Sequence, residues 1–461
     1  MANETVGARS ALAPVAALFA GIALLYLGYG LQVTLVPLRA DVEGFSRFAI
    51  GLLGSTYYAG FVAGCLLAPY VILRVGHIRA FAAMVSCVSA AALAFPLALE
   101  EAAWMAFRLA TGFCIAGLLV VIESWLNEKA TNVTRGIVMS VYIVITYAAI
   151  SVGQLGVSVQ PLESFSLFAL CSIILSLAAL PVVLTRASQP APIPVVRYEP
   201  RRIWRTAPAG CIGSFAAGLS IGSIFALGTI FAIELGYSAN EAAIFVSACM
   251  LGGALGQYPF GRVSDFMDRR YVLLVAVALT TVVSFILVAA PLMPQALVLV
   301  LGLAVGFVLM PTYSIAAAHA YDRTRPEDMV PMSAALLVLF GVGSMVGPLL
   351  AAPAMSWFGP GGLFLVIALV SSLLALFVAL RIFARARPGE AMRADFDYWS
   401  TAPVGGAVTP EHASVEDRSM ELPTPRGAAP ATPPEPVEDP APSTTLHSAD
   451  EEPDISIRVD A

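Results

Sequence analysis

Charge is scarce in this sequence. Asp, Glu, Lys and Arg make up 12% of its 461 residues, about half the share found in soluble domains. Lysine is nearly missing, with Lys129 the single example. That excludes a Walker phosphate loop, whose lysine holds the phosphates, and with it an ATP-driven pump on this chain. The H-E-x-x-H order and clustered metal ligands are absent as well, so no cofactor, no metal and no enzyme are expected. No basic stripe offers itself to a nucleic acid. The six cysteines (Cys65, Cys87, Cys114, Cys171, Cys211 and Cys249) lie in apolar stretches without a C-x-x-C pair. They suit small apolar packing better than disulfides or metal ligation.

Apolar residues take the place that charge leaves. They form 58% of the chain, and the mean hydropathy is +0.82. A spanning helix needs about 20 apolar residues. Runs of that kind occupy positions 14–38, 48–73, 79–99, 102–126, 136–159 and 164–185. After a break they resume at 207–234, 240–264, 271–291, 294–320, 328–354 and 361–383. Backbone polar groups cannot stay unpaired in lipid, and the alternation of barrel strands is missing, so the runs predict helices. The first run is too long for the apolar part of a cleavable leader and reads as a retained span. With the N-terminus in the cytoplasm, nineteen Lys and Arg fall on the cytoplasmic side, against Arg39 and Arg47 on the other. Positive loops stay inside. The expectation is a multi-pass protein of a bacterial inner membrane with both termini cytoplasmic.

The predicted fold class is an all-α membrane protein with twelve transmembrane helices in two pseudo-symmetric six-helix bundles and a disordered acidic tail. Its parts are a cytoplasmic N-terminus (1–13), a first bundle (14–185), a Pro-rich basic cytoplasmic linker (186–206), a second bundle (207–385) and a cytoplasmic tail (386–461). The tail lacks apolar periodicity and cannot bury enough surface to fold alone. Residues 400–461 carry twelve Asp and Glu against three Arg, which explains the formal net charge of −6. The halves also repeat. A shift of 192 places Gly60 and Gly64 on Gly252 and Gly256, and a shift of 194 places Gly112-Phe113 on Gly306-Phe307. Two related bundles with a cavity between them make an alternating-access carrier.

Several segments carry a family resemblance. Gly261-Arg-Val-Ser-Asp265-Phe-Met-Asp268-Arg269-Arg270 resembles the G-x-x-x-D-x-x-x-R-R loop of the major facilitator superfamily. Arg108-Leu-Ala-Thr-Gly112-Phe-Cys-Ile-Ala-Gly117 resembles its fourth-helix motif. Glu123-Ser-Trp-Leu-Asn127 through Arg135-Gly136, Gly153-Gln154-Leu155, and Ala318-His319-Ala320-Tyr321-Asp322-Arg323 narrow the likeness to YcaD-like bacterial members, over roughly residues 10–385. The first-half copy of the loop departs from the pattern, with Pro69 and Leu73 where Gly and Asp are expected. The fifth run also lacks the Gly-Pro-Gly-Gly sequence of drug-exporting antiporters. The resemblance implies a twelve-helix secondary transporter and a link between Arg108 and proton coupling. It implies a gating role for Gly261, Asp265, Asp268, Arg269 and Arg270, where a helix-end carboxylate pairs with a basic turn in one conformation and releases it in the other.

The residues themselves suggest where substrate or protons are handled. An Arg inside a span faces a cavity or a partner, unless it snorkels to the headgroups; Arg108 admits both readings. Glu123 lies about 22 Å further along the same helix at 1.5 Å per residue, so the two do not pair. It is either a cavity carboxylate that desolvation lets hold a proton or an interfacial Glu solvated beside Glu128 and Lys129. Tyr147, Ser151, Gln154 and Ser158 share one helical face, turned to the cavity or to a neighbouring helix. Gln32 and Gln257 carry the same two readings. His319, with Thr312 on its face, suits a proton relay near neutral pH or a structural place at the interface; Asp322 is the adjacent carboxylate. The Gly341-Val-Gly343-Ser-Met-Val-Gly347-Pro348 run favours close helix approach and a kink.

The expected function is that of a secondary active transporter moving a small solute by alternating access, coupled to protons, as a monomer in the bilayer. Few charged candidates favour a neutral or amphipathic solute over a highly charged one. A sensor or scaffold that binds without flux is the competing class. Within transport, a uniporter and a drug efflux carrier are the alternatives.

Overall fold

The computed structural model describes residues 16–129, 135–184, 200–325 and 328–384. The predicted N-terminus, most of the predicted linker and the acidic tail lie outside the described residues. Within them, twelve helical spans are long and apolar enough to cross a membrane. They are α1 (Ala16–Val42), α2 (Arg47–Val75), α3 (His77–Ala94), α4 (Glu101–Lys129), α5 (Arg135–Leu155) and α6 (Phe165–Val183). The second six are α7 (Pro208–Glu234), α8 (Ala239–Phe266), α9 (Arg269–Val288), α10 in two pieces (Gln295–Leu309 and Pro311–Tyr321), α11 (Met329–Phe358) and α12 (Gly362–Ala384).

Three local features differ from the sequence reading. First, α5 stops at Leu155 and the chain continues through a 3-10 turn, Gly156–Val159. Ser158 is therefore exposed beyond the helix, donating to the Leu155 carbonyl, and leaves the face that Tyr147 shares with Ser151 and Gln154. Second, the tenth span breaks at Met310, because Pro311 has no N–H to give and its ring crowds the preceding turn. Third, the end of the predicted linker forms a short helix, Pro200–Thr206, whose Arg202 pairs with Asp328 at the start of α11.

The repeat is visible in the helix starts and in the packing. Ser46 caps α2 by accepting from the Ala49 N–H, and Ser238 caps α8 through a capping box with Glu241. Gly44 and Gly236, just before these caps, both hold positive φ, at 79° and 86°, a region open to glycine. In the first half Gly60 lies against the Leu109 carbonyl and Gly112 against the Tyr57 carbonyl, which locks α2 on α4. In the second half Gly252 lies against the Leu303 carbonyl and Gly306 against that of Cys249, which locks α8 on α10 in the same register. A side chain at any of these four positions would enter the facing backbone. Small residues let helices without a hydrophobic drive between them pack closely.

Candidate functional site

The two halves meet along α2 with α11 and α5 with α8, with α1 and α2 also touching α7. At the end where α1 turns into α2 and α7 into α8, polar and close-packed contacts cross between them. Arg47 pairs with Glu234. The Ser247 hydroxyl donates to Gln154 Oε1 at 2.9 Å. Gly51 packs against Pro348 and Ala352, and Gly54 against Ala226. These contacts close that end. The Gly/Pro run of α11 serves both seams: Pro348 faces α2, Gly341 touches Val62 of α2, and Gly343 and Gly347 lie against the α7 backbone.

Below the closed end lies a cavity between the two halves. The first half lines it with Tyr26, Tyr29, Val33, Tyr57, Tyr58, Phe61, Ile115, Leu119, Tyr147 and Ile150. The second half adds Ile221, Phe225, Met250, Met310 and Phe340. The tyrosine hydroxyls are tied into the walls. Tyr57 donates to the Tyr29 oxygen at 3.0 Å, and Tyr26 shares a 3.2 Å hydrogen bond with Tyr142. Tyr147 sits beside Gln257, and Tyr58 beside Ser344, both across the seam between halves. Ring surface is what the cavity mainly offers.

One face of α4 carries Arg108, Gly112, Ile115, Leu119 and Glu123 at spacings of four, three, four and four, the stripe of a single helical side, and its middle residues Ile115 and Leu119 line the cavity. Arg108 is 7% exposed, which removes the snorkelling alternative. Its guanidinium lies 4.5 Å from the centre of the Tyr57 ring, Nε donates to the Leu53 carbonyl at 3.4 Å, and Nη1 has no hydrogen-bond partner among the described residues. Glu123 is 2% exposed, while Glu128 faces solvent, so the shared solvated interface does not form. The Glu123 carboxylate lies within electrostatic reach of Tyr26, Tyr142, Cys65 and Tyr313, the last from α10 of the other half.

The remaining candidates divide between the cavity wall and a separate charged cluster. Tyr147 lines the cavity and Ser151 is half-buried. Gln154 uses its carbonyl at the closed end, and its amide nitrogen is unpartnered. Gln32 and Gln257 are buried with neither amide atom in a hydrogen bond of good geometry. Thr312 is satisfied by its own helix, donating to the Val308 carbonyl at 3.4 Å. Asp322 and His319 join the α8–α9 loop instead. Arg269 donates to the Ala318 carbonyl at 2.7 Å and pairs with Asp322 at 2.9 Å. Buried His319 sits among Arg323, Asp268, Arg270 and Arg269. Asp268 caps α9 through the Arg270 N–H and grips the Arg270 guanidinium at 2.8 Å. Burial raises the Asp268 carboxyl, but the Arg270 hydrogen bonds and the nearby positive groups outweigh it and hold it below the usual carboxylate range. Gly261 is buried and Asp265 half-buried at the end of α8.

Sequence reasoning missed the tyrosines. Tyr26, Tyr29, Tyr57 and Tyr58 stand at i, i+3 and i, i+1 in the first two spans, and a hydroxyl in a span needs a partner. That requirement was the available signal. It also treated Arg47 only as a topological charge, whereas Glu234 makes it a cross-half contact. One hydrolase-like string, Gly218-Leu-Ser220-Ile-Gly222, lies in the middle of α7 with Ser220 buried. A nucleophile elbow requires a sharp strand-to-helix turn, and here Gly218 and Gly222 pack on α11 instead.

Comparison with known proteins agrees with this architecture. Residues 210–416 match the family model of the Major Facilitator Superfamily. The chain is 31% identical over 367 residues to the uncharacterized MFS-type transporter YcaD of Escherichia coli O7:K1 (strain IAI39 / ExPEC), covering 79% of this chain and 95% of that relative. The same identity and coverage hold for YcaD of Shigella flexneri. Among solved structures, the nucleoside transporter NupG aligns with a TM-score of 0.65 at 14% identity, covering 80% of this chain and 99% of its own. A bacterial homolog to the human lysosomal transporter Spinster aligns with a TM-score of 0.65 at 14% identity, covering 82% and 99%.

Proposed function

The chain belongs to the major facilitator superfamily of membrane transporters, and from that premise we propose that it is a proton-coupled secondary carrier working by alternating access. It moves a small solute across a bacterial inner membrane as a monomer with both termini cytoplasmic, and its moving bodies are the two bundles, 14–185 and 207–385. The observation that carries this reading is the α4 face. It sets a buried carboxylate, Glu123, about one helical turn past the cavity-lining Leu119, and the cavity's opposite end is shut by separable contacts between halves. Closure at the Arg47–Glu234 end makes this an inward-facing arrangement when the termini are cytoplasmic. Gly261, Asp265, Asp268, Arg269 and Arg270 form the gating loop, with His319 and Asp322 packed on it.

The experiment uses a substrate identified by comparing metabolites in cells with and without the protein. Purified protein is reconstituted in vesicles, and exchange is compared with accumulation driven by a pH gradient. Glu123→Gln fixes the neutral form, so exchange should persist while gradient-driven accumulation disappears. Full accumulation in that variant would remove Glu123 from coupling and pass the role to His319 or Asp322. Saturable binding without flux in the wild type would favour the sensor reading instead.

A further inference from the structure

We propose that the tyrosine cavity selects a flat aromatic solute bearing one negative charge, such as an aromatic monocarboxylate, whose anion is received at the Arg108–Tyr29 corner. The inference rests on the transport reading and narrows it to a substrate class. Eight of the fifteen lining residues are Tyr or Phe, so the cavity presents ring faces that stack on a planar partner. The hydroxyls of Tyr26, Tyr57, Tyr58 and Tyr147 are engaged with wall residues. A polyhydroxylated solute would shed its water here without enough partners, which is costly.

Charge selection comes from Arg108. An aromatic box attracts cations, but here a permanent cation already lies over one face of the Tyr57 ring. A second positive charge in the cavity would meet repulsion and one face fewer. The electrostatic neighbours of Arg108 are Tyr57, Tyr29 and Tyr58, with no carboxylate in that set. A buried cation without a counter-charge is unfavourable, and an anion in the adjoining cavity supplies one. Two donors point to the same corner. Arg108 Nη1 is without a partner, and Tyr29, which accepts from Tyr57, keeps its own proton to donate. Charge-assisted hydrogen bonds of this kind are the strong ones. The charge is single because this corner offers one permanent cation, Arg108.

The test measures binding of naphthoate, naphthamide and naphthyl-trimethylammonium to the full chain in nanodiscs. The three probes share a ring system and differ in charge. Naphthoate should bind at least tenfold more tightly than naphthamide, and the cation most weakly. In Arg108→Gln the naphthoate-to-naphthamide ratio should fall to near one. Tyr29→Phe, which leaves the charge in place, should weaken naphthoate several-fold and spare naphthamide, so the proposal remains testable if the Arg108 variant does not fold. Equal affinity for naphthoate and naphthamide in the wild type, preference for the cation, or no saturable binding by any probe overturns the proposal. Counterflow in vesicles separates the two readings. Selective naphthoate binding without naphthoate flux supports the class and defeats transport, while equal flux of all three supports transport and defeats the class.

Discussion

Neutralising Glu234 should loosen the closed end. Its partner Arg47 comes from the other half, so the pair acts on the equilibrium between closed and open arrangements. Two unit charges 4 Å apart interact by ~1 kcal/mol in water and ~4 kcal/mol at an effective dielectric of 20. The Arg47 side chain remains 44% exposed and that of Glu234 14% exposed, which keeps the pair near the lower figure; exposed pairs measure about 0.2–1 kcal/mol. A loss of roughly 0.5–1 kcal/mol shifts the equilibrium about two- to fivefold, since 1.4 kcal/mol is tenfold. Asp41 also lies within electrostatic reach of Arg47 and Glu234, so Glu234→Gln alone should give the lower end of that range. Adding Asp41→Asn should give the upper end.

The assay places a single cysteine at Val33, which lines the cavity, in a background with the six native cysteines replaced. An impermeant maleimide applied from the Arg47 side reports how often that end opens. The labelling rate should rise about twofold in Glu234→Gln, about fivefold with Asp41→Asn added, and return toward the starting rate in the exchange Arg47→Glu with Glu234→Arg. An unchanged rate in the single variant, or an exchange that fails to restore it, would refute the gate assigned to this pair.

Three further outcomes follow from the packing and the charges. Gly112→Ala and Gly306→Ala place a methyl in the facing Tyr57 and Cys249 backbone; each should cost about 1–3 kcal/mol, as overpacking does. Gly44→Ala, which meets only open space despite its positive φ, should lower the melting temperature less than either. Asp268→Asn keeps a cap but removes the charge. The native Asp268 carboxyl sits below the usual range, so its contribution is complete above about pH 4, the free carboxyl value, and is lost as pH falls through the lower native value. The wild-type-minus-variant difference in melting temperature should therefore be constant from about pH 5 to 8 and shrink below about pH 4; a difference that peaks near neutrality would contradict the assignment. A reporter fused after Arg197 should read cytoplasmic and one after Glu43 periplasmic, because positive loops stay inside; reversed signals would invert the orientation.

The span count was legible because hydropathy acts over whole helices, and a single misplaced end does not disturb it. The ends were less legible. Ser158 fits the helical spacing of Tyr147 and Gln154, but a 3-10 turn begins at Gly156 and takes it off that face. Arg108 and Glu123 were legible as costly residues in apolar runs, while their surroundings were not, since burial depends on how α4 packs against α2 and α3. His319 and Asp322 looked like cavity candidates by depth in the span. The break at Pro311 starts a separate helical piece, whose far end packs on the charged α8–α9 turn.

The repeat explains why the scaffold was easier to read than the site. The offset is 192 through the first two helices and 194 through the fourth and fifth, so the two-residue step falls around the third and ninth spans and leaves each packed helix pair in register. Glycine contacts obey it: Gly30 against Ile150 becomes Gly222 against Ser344, and Gly153 against Leu27 becomes Gly347 against Leu219. Backbone approach tolerates only glycine at these positions, so the pattern survives in both halves. The cavity residues do not follow it. At the same offsets Tyr29, Tyr57 and Tyr58 become Ile221, Cys249 and Met250, while Arg108 and Glu123 become Gly302 and Ala317. The first half thus holds the polar chemistry, and the second supplies an apolar wall of Ile221, Phe225, Met250, Met310 and Phe340. The departures from the repeat, rather than the repeat itself, mark the site.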